Sequence, residues 1–218
     1  ANATQMLIVT AIASPEPRTR LIDRYLAAAF DAGLQPILCI TKVDLADPAE
    51  FLANFDGLSI PVVLNRSDEP SIDELRELLK NQRTVAVGHS GVGKSTLVNA
   101  LVPDADRATG IVNEVTGRGR HTSSSVRAIR LPEDFGDAWV IDAPGVRSFG
   151  LGHINPTSLL RSFEDLYKVI ETCPRDCSHL AESPDCELDA AITDGRLGET
   201  GTARVDSLRR LIVSASSD

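Results

Sequence analysis

The stretch that most narrows what this chain can become is Thr84 to Val98, TVAVGHSGVGKSTLV. An apolar, β-branched run (Thr84 to Val87) enters a glycine-rich turn and leaves through Lys94, Ser95 and Thr96 into residues of helical spacing. Gly88, Gly93, Lys94 and Ser95 fit G-x-x-x-x-G-K-[ST], the strand, loop and helix of a P-loop nucleotide site. Each residue type has a physical reason. Glycines at 88, 91 and 93 allow positive φ, so that the N–H groups of the loop, with His89, Ser90 and Val92 between them, can turn toward phosphate oxygens. The helix opening at Lys94 adds its N-terminal dipole. Lys94 is expected to neutralise the β- and γ-phosphates and so to act in catalysis, Ser95 to hold Mg²⁺, and Thr96 to complete the nucleotide contacts.

Upstream of this stretch the pattern alternates. Short apolar runs at Met6 to Ile12, Pro36 to Ile40 and Pro61 to Leu64 read as strands buried on both faces. Between them, Thr19 to Ala32, Pro48 to Phe55 and Ser71 to Lys80 read as helices, the last with Ser71 and Glu74 spaced as a capping box. Strands alternating with helices predict an α/β fold with a doubly wound, mostly parallel sheet, and ligands beyond the carboxyl ends of its strands.

Two further segments stand at such ends. Thr41, Lys42, Val43 and Asp44 form TKVD, similar to the N-K-x-D guanine motif, in which a carboxylate accepts hydrogen bonds from N1–H and N2–H₂ of the base. Adenine lacks both donors, so Asp44 would disfavour it by about 1–3 kcal/mol. Lys42 would lie over the base and the loop. Trp139 to Gly145, WVIDAPG, ends a strand in D-x-P-G: Asp142 is expected to reach Mg²⁺ and the Gly145 N–H a γ-phosphate. Pro103 to Ser125 shows no helical or strand period and is the expected switch loop, with Thr122 or Ser123 supplying a hydroxyl to Mg²⁺. In the common GTPase order the guanine motif comes last; here it precedes the P-loop, so the set is circularly permuted.

Beyond the switch lies CPRDCSHLAESPDC. Three thiols and one imidazole, Cys173, Cys177, His179 and Cys186, in fourteen residues read as one closed, structural Zn²⁺ site of Cys₃His type. The metal would supply on the order of 10 kcal/mol to a segment too small for its own core, with helices at about Leu188 to Ile192 and Val205 to Val213 around it. Cys39 lies in an apolar strand and reads as a core residue. The chain therefore divides into a GTPase domain (1–154) and a C-terminal helical zinc-binding domain (155–218).

Composition sets outer limits. With 42% hydrophobic and 24% charged residues in 218, the chain reads as a globular protein of the cytoplasm, without membrane contact and expected to be a monomer. A net charge of −9 argues against indiscriminate coating of nucleic acid. Arg107, Arg118, Arg120, His121, Arg127 and Arg130 nonetheless form a basic stretch opposed only by Glu114.

TKVD, GHSGVGKS, GRGRHTSSS, DAPGVRSFG and the cysteine cluster, in that order, resemble the bacterial family of ribosome small-subunit-dependent GTPase A (RsgA) over essentially the whole chain. The resemblance implies GTP hydrolysis to GDP stimulated by the small ribosomal subunit, action late in that subunit's maturation, and contact with its rRNA. It also implies that His121, before the switch hydroxyls, positions the attacking water, since Val146 follows DAPG where many GTPases carry Gln. The sequence departs from the family in four places, one of them Asn65 to Ser67, which does not match the family's Ser-Ala type motif cleanly and is left unassigned. The first strand begins at Met6, so the family's usual N-terminal OB-fold domain is expected to be lacking; Thr41 replaces the usual Asn; three residues, not four, separate the first two cysteines. Other P-loop NTPases, and an RNA-binding assembly scaffold with incidental hydrolysis, are the alternatives.

Overall fold

The structure is a computed structural model that describes residues 2–55, 58–68, 71–102, 127–142, 159–160 and 163–216. Its residues form two compact units: 1–18, 33–48 and 60–148 in one, 19–32, 49–59 and 149–218 in the other.

The first unit is built on one sheet. Strands β1 (Gln5–Ala11), β2 (Gln35–Thr41), β3 (Val62–Asn65), β4 (Arg83–Val87), β5 (Arg127–Arg130) and β6 (Trp139–Asp142) lie in the order β3-β2-β1-β4-β6-β5. All neighbours pair in parallel except β5, which runs antiparallel to β6. Every residue of β1 is buried, as a central parallel strand covered on both faces requires. Alternate residues of the central strands (Leu7, Val9, Ile37, Cys39, Ala86 and Val140) point into one core. Helices α3 (Ile72–Leu79) and α4 (Lys94–Leu101) close it with Leu75, Leu79, Leu97, Val98 and Leu101, beside Phe135 from a 3-10 turn. Cys39 is fully buried there and its thiol is pushed up to about 12 by burial, so it is a core residue.

This topology positions the site. From β1 the chain steps outward to β2 and β3, then returns to the opposite flank of β1 as β4. The order thus reverses between β1 and β4, where an open α/β sheet leaves a crevice at its carboxyl edge. Register brings Thr41 opposite Ala11 and Asp142 opposite Ala86, so the ends of β2 and β6 flank the loop that leaves β4.

The second unit is helical among its described residues: α1 (Thr19–Asp31), α2 (Ala49–Leu52) with a 3-10 turn (Ala53–Phe55), α5 (Glu164–Ile170), α6 (Glu187–Thr193) and α7 (Gly201–Ser216). Helices α1 and α7 pack together although nearly the whole chain separates them. Arg210 fastens them: Nε donates to Asp23 Oδ2 at 3.1 Å, Nη2 to the Asn54 carbonyl at 2.5 Å, and the guanidinium lies over the Phe55 ring at 5.7 Å. Asp23 is 1% exposed, and burial raises its pKa above the ordinary value against the pull of Arg210.

Several local expectations need correction. The capping box does not form: Ser71 Oγ donates instead to the Leu64 carbonyl at 2.6 Å, and the Ser71 N–H to Asn65 Oδ1 at 2.9 Å, so the serine ties α3 back to β3. The helix expected over Pro48 to Phe55 is one α-helical turn running into a 3-10 turn. The sequence pattern does not predict strand β5 or helix α5. Arg127–Arg130 is too short and too charged to read as a strand by itself, and is one because β6 pairs with it.

Candidate functional site

The phosphate loop is shaped by what surrounds it. A Cβ on Gly88 would stand 2.4 Å from the Val9 carbonyl oxygen, so the chain can pass β1 there only without a side chain. Gly91 and Gly93 have φ of +83° and +89°, the left-handed turns that bring the loop round to the first turn of α4. Val92 sends its side chain into the core, 3% exposed, and offers the loop only its main chain. Ser95 and Thr96 are exposed on the first turn of α4. Nδ1 of the half-buried His89 is 2.8 Å from the Ser90 carbonyl; a carbonyl only accepts, so this nitrogen carries the proton.

The TKVD segment is bonded to this loop. Buried Thr41 donates its hydroxyl to the Val92 carbonyl at 2.6 Å, with the Thr10 carbonyl at 3.2 Å. Lys42 takes a φ of +60° and its Nζ donates to Gly91 O at 3.1 Å and also to Ser14 O. The threonine thus makes a buttressing contact to the loop from the position where the family usually has asparagine. Asp44 is exposed, and its Oδ1 accepts from the Ser67 N–H at 2.8 Å. That bond, the largest influence on Asp44, holds its carboxyl below the ordinary carboxylate value and keeps it an ionised acceptor. The sequence alone leaves Asn65 to Ser67 unassigned, and the structure gives Ser67 this contact. The available signal was topological: the loop after β3 must lie beside the end of β2.

At the other flank, Lys94 pairs with Asp142, their side chains 11% and 18% exposed. The loop lysine and the carboxylate expected at Mg²⁺ thus meet between β4 and β6. Oxygen donors at Ser95 and Asp142 suit a hard cation such as Mg²⁺. His121, Thr122, Ser123 and Gly145, together with Arg107, Arg118, Arg120 and Val146, lie outside the described residues.

In the second unit, the ligand atoms of Cys173, Cys177, His179 and Cys186 all lie within 4.8 Å of one another. His179 Nδ1 is buried and has no hydrogen-bond partner among the described residues, as befits a nitrogen whose lone pair faces a metal. Burial, then the charge of Arg209, lowers the His179 pKa, which favours the neutral ring that ligates. Burial pushes Cys173 up to about 11. At Cys177 burial acts in the same direction, but hydrogen bonds, foremost from the His179 N–H, outweigh it and lower the pKa, which favours the thiolate that ligates. Soft thiolates with one imidazole fit Zn²⁺.

Comparison with known proteins agrees with this geometry. The sequence model of the RsgA GTPase family matches residues 1–152. A small ribosomal subunit biogenesis GTPase RsgA of Pseudomonas fluorescens (strain SBW25) is 39% identical over 217 residues, covering 96% of this chain and 61% of that protein. Its counterpart in Pseudomonas syringae pv. syringae is 40% identical over an alignment of 226 residues, covering 100% of this chain and 64% of that one. This chain therefore spans less than two thirds of either relative's length. Among solved structures, YjeQ from Thermotoga maritima superposes with a TM-score of 0.72 at 27% identity, over 100% of this chain and 73% of that one. YloQ, a circularly permuted GTPase, superposes with a TM-score of 0.68 at 28% identity, over 99% and 69%. With the glycine-rich loop leaving β4 and the TKVD segment preceding it at the end of β2, the chain belongs to the RsgA GTPase family.

Proposed function

We propose that this chain binds GTP, hydrolyses it to GDP and phosphate when stimulated by the small ribosomal subunit, and acts with rRNA contact in the late maturation of that subunit in the cytoplasm. The observation that carries the reading is the bonding of TKVD to the phosphate loop, Thr41 Oγ1 to Val92 O at 2.6 Å and Lys42 Nζ to Gly91 O at 3.1 Å. A base-reading carboxylate four residues into that segment is then held at a fixed reach from the phosphate cradle. The names of the relatives supply the ribosomal part of the reading.

In this reading residues 1–154 carry the nucleotide chemistry, and residues 155–218 hold one structural Zn²⁺ through Cys173, Cys177, His179 and Cys186. Asp44 accepts from guanine with its remaining lone pairs while Ser67 keeps it oriented. Gly88 to Gly93 present main-chain N–H groups to the phosphates, and Lys94 exchanges Asp142 for phosphate oxygens. Ser95, Asp142 and one of Thr122 and Ser123 would hold Mg²⁺, which would supply positive charge beside the phosphates. The Gly145 N–H reaches the γ-phosphate, and His121 positions the water. The active species is a monomer. No helix among the described residues is long and apolar enough to cross a membrane.

The test is steady-state GTP turnover with and without purified small ribosomal subunits at fixed, stated salt, because contact with RNA is screened. A rise of tenfold or more, about 1.4 kcal/mol off the barrier, is expected. Lys94→Ala should abolish it, and ATP should compete at least tenfold less well than GTP. Equal competition by ATP would remove the guanine reading; bound GTP with no stimulation by subunits would remove the ribosomal one.

A further inference from the structure

The thiol and imidazole cluster leaves one neighbour unexplained. Arg209, on α7, is an arginine whose side chain is only 13% exposed. Its Nε donates to the His179 carbonyl at 3.0 Å and its Nη2 to Asp189 Oδ2, on α6, at 2.8 Å. The guanidinium also lies within hydrogen-bonding reach of the Cys186 thiol. His179 itself takes a φ of +59°, in the left-handed region that is uncommon for residues other than glycine, and so do Asp176 at +65° and Asp185 at +56°, each immediately before a cysteine of the cluster. Aspartate and histidine enter that region more often than other side chains, and a fixed partner on the carbonyl selects it from the conformations open to His179.

We infer that Arg209 is a positioning residue of the metal centre: by bridging the His179 carbonyl and Asp189, it holds His179 in the left-handed turn that aims Nδ1 at the three thiols. The inference rests on reading the cluster as a metal site. With the carbonyl pinned, the His179 N–H also stays on Cys177, so one clamp orders both a ligand ring and a ligand sulfur. The other end of the clamp stands on α6, whose first N–H, at Glu187, bonds Cys173. Arg209 thereby ties the ligand loop, α6 and α7 into one arrangement, and metal affinity depends on a helix that contributes no ligand. A planar fork can meet two acceptors at once; a lysine ammonium at the same place cannot hold both with that geometry.

The full chain loaded with Co²⁺ in place of Zn²⁺ tests this, because the visible bands of cobalt report its donor set. In Arg209→Ala the bands should move toward those of His179→Ala, in which the imidazole is gone. Chelator competition should show Zn²⁺ affinity lower by roughly 10–100-fold. Arg209→Lys should recover only part of the loss, and Asp189→Asn, which loosens one anchor and keeps the arginine, should show a smaller shift in the same direction. Native bands in Arg209→Ala with affinity within about twofold of the parent would overturn the inference. Should Arg209→Ala fail to fold, native bands and affinity in both Arg209→Lys and Asp189→Asn would overturn it equally. If the parent chain gives no thiolate–cobalt bands, the metal reading itself falls, and the inference with it.

Discussion

Thr41 shows how a single hydroxyl can hold a loop in place. It is 3% exposed and its one proton goes to the closer of two carbonyls, Val92 O at 2.6 Å, so the bond lies in the protein interior and water does not compete for it. Thr41→Val keeps the volume and leaves the carbonyl of Val92 without that partner. Guanine nucleotide affinity should fall about 5- to 10-fold, matching about 1–1.5 kcal/mol for a lost hydrogen bond. Thr41→Asn, with a donating amide, should retain most of it. Titration with a fluorescent GDP measures both. Unchanged affinity in Thr41→Val would mean that the loop keeps its shape through Lys42 and the glycines alone. Lys42 and Asp44 were legible as residues of a motif, but their partners were not: Gly91 and Ser67 lie 49 and 23 positions away.

Among the elements, α1 and α7 pose a problem of burial. Asp23 is enclosed by the packing of these helices with one oxygen bonded to Arg210 and the other, Oδ1, without a partner among the described residues. Removing the arginine should be worse than removing the acid, because it strands a buried carboxylate: Arg210→Ala is expected to cost about 3–5 kcal/mol, and Asp23→Asn clearly less. The pH dependence has a definite sign. Burial puts the folded pKa of Asp23 above its ordinary value of 3.8, so its contribution is complete below that value and is lost as pH rises through the folded one. The stability of Asp23→Asn relative to the parent should therefore increase as pH rises above about 4. Urea unfolding of both variants across that range measures it, and a relative stability that falls with pH would contradict the burial argument. The helices themselves were legible from apolar spacing; that the first would pair with the last was not, since periodicity says which face is buried and not what covers it.

For the whole molecule, the two units offer different means of stabilisation. The sheet unit carries a contiguous apolar core around β1 and β4. The helical unit carries the ligand cluster, and a Zn²⁺ bound there would be worth on the order of 10 kcal/mol. Stripping metal with a strong chelator should lower the midpoint of thermal unfolding by about 10 °C or more, since each kcal/mol shifts a chain of this size by about 2–4 °C. Calorimetry with and without added Zn²⁺ checks this, and an unmoved midpoint would mean that the helices hold without metal. The net charge of −9 coexists with exposed Arg127 and Arg130 on the edge strand β5, so charge is distributed by face and a formal total cannot describe it.

By itself, the sequence determined the features that depend on neighbours along the chain. These are the strand, glycine turn and helix of the phosphate loop, the permuted order of the motifs, the parallel alternation, and a Cys₃His set close enough in sequence to converge. Glycine torsions, hydrophobic period and ligand chemistry are local properties, and a linear chain displays them. Tertiary structure alone decided which distant groups meet. Thr41 reaches Val92, Ser67 orients Asp44, Lys94 pairs with Asp142, and Arg209 pins His179. Each of these contacts depends on strand register or on helix placement across long separations. A shift of one residue along a strand turns every side chain to the other face, and such alternatives differ in packing energy while sharing the same sequence pattern.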